Sequence, residues 1–196
     1  MNATHGPGAA ALRPVGPGPG MLVHSTADRR LAVEQWLMAT CPAASHERIR
    51  AEWQENGVAL LPLGTLFSAV RIPGRLVFAM ALTDDAEEVD AVLDDALRSG
   101  PVICDPQGRR YYALVPASMA RSWKEAAAEW RAKAGVEVLG NGTYLGVPQV
   151  GRTRCLPGAG ASYWSVPMRS AAELCAPLAV ARLIAAGRHA MTDVSE

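Results

Sequence analysis

The chain has little that would tie it to a structural metal, a disulfide framework or a membrane. Its four cysteines, Cys41, Cys104, Cys155 and Cys175, are scattered, with no Cys-x-x-Cys pair and no histidine at zinc-ligand spacing. Reduced thiols are the expectation, and Cys104, on an apolar strand, is read as a small hydrophobe. The four histidines, His5, His24, His46 and His189, stand in no Ser/His/Asp-like context, which leaves no basis for a nucleophilic triad. No apolar run approaches the roughly 18 to 20 residues that span a bilayer, and no basic segment followed by an apolar core opens the sequence. A soluble, cytoplasmic protein is expected. Neither sign of charge is in excess, with 19 Lys and Arg against 19 Asp and Glu, so any case for an anionic partner has to be local. The Gly-rich stretches GNG and GAGA lack the strand and lysine of a phosphate-binding P-loop and are read as turns.

What is present fits one domain. A length of 196 residues is enough to bury a substantial core. Residues 1–20, MNATHGPGAAALRPVGPGPG, hold almost nothing large to bury, so a disordered Gly/Pro-rich tail is expected there and a domain over 21–196. Asp28 is placed as N-cap of a helix reaching Ala39, and Ser45 opens a second helix with Ile49 and Trp53 on one face. Residues 84–99 form the clearest helix, an apolar stripe through Val89, Val92, Leu93 and Leu97 with acids around it, read as a solvated face. PVICD and RRYYALVP flank the turn Pro106-Gln107-Gly108 as a hairpin, and VEVLG and TYLGVP flank Asn141-Gly142 as a second. A helix over 118–133, a strand SYWSVP and a helix over 170–188 complete the pattern. Strands and helices mix without strict alternation, and the hairpins make the sheet largely antiparallel: an α+β fold.

The stretch 52–73, EWQENGVALLPLGTLFSAVRIP, is the centre of this pattern. It reads as two apolar strands around a turn at Gly64. Alternation puts Phe67, Ala69 and Arg71 on one face of the second strand and Ser68, Val70 and Ile72 on the other, so a cation ends an apolar row.

Four segments in this order resemble the N-terminal domain of bifunctional DNA primase-polymerases, of the archaeo-eukaryotic primase superfamily. The likeness spans residues 44–167. IRAEWQENGVA is similar to the family's I-x-x-W…N-x-G-[IV]-A opening, and FSAVRIP takes the place of its acid-bearing strand. QGRRYYALVP resembles G-G-x-H-x-Y-F-x-V-P, and VEVLGNGTYLGVP resembles V-D-I-R-G-x-G-G-Y-V-V-x-P. The chain looks more like the shorter prim-pol-like proteins of high-GC actinomycetes than like a full replication enzyme. The resemblance implies an RRM-like core and, in active members, two divalent metals held by paired carboxylates, with a histidine nearby.

On the matching positions this chain carries Arg71 and Pro73 for the paired acids and Arg110 for the histidine. Only Glu137 keeps a carboxylate. A guanidinium repels the ion it would have to bind, so the resemblance implies a catalytically degenerate domain with no metal ligands and no cofactor. The expected ligand face carries Arg71, Arg110 and Glu137, edged by Arg75, Arg109 and Tyr112 and, from the following loop, Arg152 and Arg154. Arginine forks suit phosphate oxygens and tyrosine faces stack on bases, so a nucleotide or single-stranded nucleic acid is the expected partner. The plainer reading has Glu137 pairing with one of these arginines and Tyr111, Tyr112, Tyr163 and Trp164 serving as core or rim. Two other functions stay open. One is an active primase-polymerase using Mg²⁺ or Mn²⁺ on displaced acids such as Asp84, Asp85 and Asp105. The other is a protein-interaction module without a nucleic-acid role.

Overall fold

The computed structural model describes residues 25–155 and 160–193; the expected tail, 1–20, lies outside them. Strand β2, Phe67–Pro73, is the hub. It pairs antiparallel with β4, Arg110–Pro116, on one side and with β5, Glu137–Leu139, on the other. Strand β3, Val102–Asp105, forms the expected hairpin with β4 across Asp105↔Arg110, and β7, Tyr163–Val166, closes the sheet as β5-β2-β4-β3-β7. Between β2 and β3 run helices α3, Gly74–Ala81, and α4, Ala86–Ala96; between β4 and β5 run α5, Met119–Ser122, and α6, Lys124–Ala134. The first four sheet strands thus follow β-α-β-β-α-β connectivity in spatial order 4-1-3-2, the split β-α-β arrangement of ferredoxin-like and RRM-like cores. Every strand pair is antiparallel, and the fold is α+β.

Alternation divides the sheet into two buried faces. Val70, Ile72, Tyr111, Ala113, Cys104 and Tyr163 look toward α3, α4, α6 and α7, Pro177–Asp193. Phe67, Ala69, Leu114, Ile103 and Trp164 look the other way, into a core shared with α1, Thr26–Met38, α2, His46–Asn56, and a two-stranded ribbon of β1, Val58–Pro62, and β6, Tyr144–Pro148. The ribbon runs from beside β5 to beside β7, where the indole N–H groups of Trp53 and Trp164 donate to the carbonyls of Val147 and Pro148.

Several expectations change. Asn141-Gly142 does turn the chain, with Thr143 N–H bonded to the Gly140 carbonyl, but β5 and β6 do not pair: β5 joins β2 and β6 joins β1. The two strands of the 52–73 stretch likewise enter different sheets. A turn signal reports that the chain reverses, not which strand its arms meet. Ser25, not Asp28, caps α1; the two form a capping box in which Asp28 reaches back to the Ser25 N–H. Residues 74–81, which carry no sequence assignment, form α3, closed by Leu82 in the left-handed conformation at φ 58°. The helix expected over 118–133 breaks at Trp123, and the last helix starts at Pro177 rather than near residue 170.

The acidic face of α4 is not wholly solvated. Asp90 turns inward, where its Oδ1 accepts hydrogen bonds from Tyr163 Oη at 3.2 Å and from Ser165 Oγ. Burial pushes its carboxyl up from 3.8 to about 6, the two hydroxyls oppose that rise, and Glu87 and Asp85 add to it. The folded chain therefore holds this proton more tightly than the unfolded chain, so the group's contribution is best below about pH 4 and is lost as pH rises toward 6. The full difference corresponds to about 3 kcal/mol, which partial exposure reduces to about 1 to 2 kcal/mol. Asp90→Asn, whose amide oxygen can accept both hydroxyls, is expected to be more stable than wild type at pH 7 by that amount and to lose the decline between pH 4 and 6. Urea unfolding across this range measures it; parallel curves for the two proteins would contradict the assignment.

Candidate functional site

The ligand face expected from the sequence depends on whether residues far apart in the chain reach one place. The sheet register brings four of them together. Glu137 lies opposite Arg71, Arg71 opposite Tyr112, Tyr112 opposite Ile103 and Ile103 opposite Trp164, one row crossing all five strands. The row is covered at its Trp164 and Ile103 end, both 1% exposed, and open at the other, where the Arg71 and Glu137 side chains are 28% and 27% exposed. One step toward the sheet end, Arg110 lies opposite Pro73. It is therefore the diagonal neighbour of Arg71 on the same face, about 7 to 8 Å away by sheet geometry.

The electrostatics of this patch are only partly balanced. Arg71 Nη2 lies 2.7 Å from Glu137 Oε1, and Arg131 Nε reaches the same oxygen at 3.8 Å. This is the ion pair of the plainer sequence reading. Arg110 is exposed and makes no ion pair with the described residues. Asp105, its cross-strand neighbour, uses Oδ1 to accept the Gly108 N–H at 3.0 Å and so orders the hairpin loop. Tyr112 is half-buried, its ring lying partly against the apolar core. One fixed pair, one available guanidinium and a half-buried tyrosine thus occupy adjacent registers.

The other expected residues are elsewhere. Arg109 has φ 48° and sits over the Phe78 ring at 5.6 Å, on the helix-covered face opposite Arg110. Arg75, in the first turn of α3, donates to the Ala134 carbonyl at 3.5 Å. Arg152 lies at the β7 edge, where its carbonyl accepts the Trp164 N–H, and its guanidinium is pressed on Gly57, the left-handed cap of α2. Its Nη1 is buried without a hydrogen-bond partner among the described residues. Arg154 is exposed in the loop after β6. Tyr111, Tyr163 and Trp164 belong to the core, at 4%, 1% and 1% exposure.

A second concavity was not foreseen from the sequence. On the helix-covered face, Phe78, Tyr111 and Tyr163 wall a cavity of about 280 Å³ with Cys104 among its lining and Asp84, Asp105 and Arg109 around it. The Phe78 and Tyr111 rings meet edge-on at 6.1 Å. Burial pushes the Cys104 thiol up to about 11 and raises both tyrosines above the ordinary phenol range, so Cys104 stays protonated at neutral pH and is no nucleophile there. Its signal in the sequence was only the alternation of β3 and β4; Phe78 arrives on the unassigned α3.

The displaced acids do not join Glu137. Asp85 caps α4 through the N–H groups of Glu87 and Glu88, and Asp84 and Asp105 border the cavity on the other side of the sheet. Among the described residues no group of three or more His, Cys, Asp or Glu side chains is placed to hold a metal, and no helix is long and apolar enough to cross a membrane. No protein-family model matches the chain, and neither the curated proteins nor the solved structures contain a significant match.

Proposed function

We propose that this chain is a primase-polymerase-like domain in which two positions of the metal site have become arginines, and that the open end of the sheet binds a phosphate-bearing ligand, a nucleotide or single-stranded nucleic acid. The observation that carries the reading is the register. Positions 71, 110 and 137, picked out separately by resemblance, are cross-strand or diagonal neighbours on one accessible face. A phosphate there meets Arg110 directly and Arg71 in competition with Glu137, and the half-buried Tyr112 between them adds an aromatic contact for a base. A cation where the first carboxylate would be, Asp85 taken up as the cap of α4 and Asp105 taken up by the Gly108 N–H favour the non-catalytic reading over two-metal catalysis.

Anisotropy of a labelled single-stranded oligonucleotide, titrated at 50 and 200 mM salt, tests the reading. Two phosphate contacts are expected to weaken binding about sevenfold over that range. No template-dependent extension is expected with Mg²⁺ or Mn²⁺. Extension by the purified protein, or an absence of binding at low salt, would overturn it.

One observation favours the interaction-module reading. The outer face of the β1–β6 ribbon exposes Leu60 and Tyr144 at 57% and 67%. Binding of a partner through this face would survive high salt, which separates it from phosphate recognition.

A further inference from the structure

On the helix-covered side of the sheet, three cations from three helices border one concavity. Arg75 comes from the first turn of α3, Lys133 from the last turn of α6, and Arg188 from α7; together with Thr192 and the buried Leu76 they line a space of about 350 Å³, and among the described residues no carboxylate is part of that lining. Packing holds them there. A Cβ on Gly187 would lie 2.4 Å from Leu76 Cδ2 and 2.5 Å from the Leu76 carbonyl oxygen, so only glycine lets α7 approach the α3 backbone this closely, and Arg188 is the next residue. On the other wall Gly135, at φ 69°, ends α6 in the left-handed conformation, and Arg75 Nη2 reaches the Ala134 carbonyl there.

The charges in this pocket do not cancel. Glu129 holds Lys133 at 2.8 Å and lies 3.8 Å from Arg188. The C-terminus of α6 adds about half a negative charge. Arg75 has no carboxylate within ion-pair distance among the described residues. Among the described residues positive charge is left over, at the start of a helix that has no side-chain cap. The Thr192 hydroxyl donates back to the Arg188 carbonyl, so the donors available to a ligand are those of the three cations. Two guanidinium forks and an ammonium around one concavity suit the oxygens of a phosphate.

We infer that the pocket between α3, α6 and α7 is a phosphate-binding site, separate from the Arg71 face and on the opposite side of the sheet. Phosphate joins the three helices at the place where their like charges meet. The site depends only on the packing of α3, α6 and α7, so it stands or falls independently of the nucleic-acid reading.

Titration of ¹⁵N-labelled full-length protein with inorganic phosphate, at ionic strength held constant with chloride, tests it. Saturable shifts are expected for the amides of residues 74–77, 133–136 and 188–192. Arg75→Ala/Arg188→Ala is expected to weaken affinity at least tenfold. Lys133→Ala, whose side chain is 56% exposed and whose loss should leave the fold intact, is expected to weaken it severalfold. In Arg71→Ala/Arg110→Ala the shifts of these three segments should saturate as in wild type, whatever becomes of phosphate at the Arg71 face. Pyrophosphate and a nucleoside monophosphate, titrated in parallel, show whether the phosphate is best taken free or carried on a larger molecule; saturable binding of either at these residues supports the site. Shifts that do not saturate, shifts reproduced by chloride alone, undiminished affinity in both cation variants, or loss of the shifts at these three segments only in Arg71→Ala/Arg110→Ala would overturn it. If phosphate binds here and oligonucleotide binding to the Arg71 face is absent, this site remains and the proposed function does not.

Discussion

Replacing Gly64 by alanine is expected to destabilise the domain by about 3 kcal/mol. Gly64 sits where β1 leaves the ribbon and the chain swings into β2, with its N–H bonded to the Phe67 carbonyl at 2.7 Å. Two penalties add. Its φ of 95° is one that a side chain disfavours, and a Cβ there would lie 2.5 Å from the backbone nitrogen and 2.6 Å from the Cα of Asn141. The obstacle is backbone and cannot rotate away. Asn141 belongs to the second crossover between the sheets, so the two crossovers touch at this point, and a shift would disturb both strands flanking Arg71 and Glu137. The urea midpoint of Gly64→Ala against wild type measures the effect; a loss under about 1 kcal/mol would mean that the two crossovers can move apart freely.

Arg71→Ala/Arg110→Ala is expected to weaken nucleotide or oligonucleotide binding about 100-fold. Each charge-assisted contact to phosphate contributes roughly 1.5 to 3 kcal/mol when partly shielded from water, and the pair would lose both. The single variants should differ. Arg110, with no ion pair among the described residues, gives its full contact, so Arg110→Ala alone should cost about tenfold or more. Arg71 must share itself with Glu137 at 2.7 Å, so Arg71→Ala should cost less. Calorimetric titration of the three variants checks the order; equal affinities throughout would remove this face as a site.

Much of the sheet was legible because its information is local. The alternation of β2 sorted Phe67, Ala69 and Arg71 from Val70 and Ile72 correctly, and the Pro106-Gln107-Gly108 turn does join a hairpin. The same alternation separates Arg109 from Arg110, yet grouping residues by charge alone put both on one edge. What was not legible depends on long-range pairing. That Glu137 meets an arginine was foreseen, but that the arginine is Arg71 follows from β5 joining β2 rather than β6, and no turn residue encodes that choice. Likewise Arg152 carries the composition of a phosphate ligand, but its guanidinium is pressed on Gly57, a contact set by the loop after β6 and invisible in the spacing. The inward turn of Asp90 was hidden among the acids of α4, since its partners Tyr163 and Ser165 lie more than seventy residues downstream.

For the proposed phosphate site at Arg71 and Arg110, Glu137→Gln gives a test by sign. In wild type the Glu137 carboxylate competes with the ligand for Arg71. Glutamine keeps the shape and removes the charge, worth about 0.5 to 1 kcal/mol at this half-exposed site. Nucleoside triphosphate is titrated into both proteins with divalent ions chelated. The account predicts that Glu137→Gln binds two- to fivefold more tightly than wild type. Weaker binding by the variant, or binding that requires Mg²⁺ or Mn²⁺ and is lost with Glu137, would contradict it and return this face to metal-dependent chemistry.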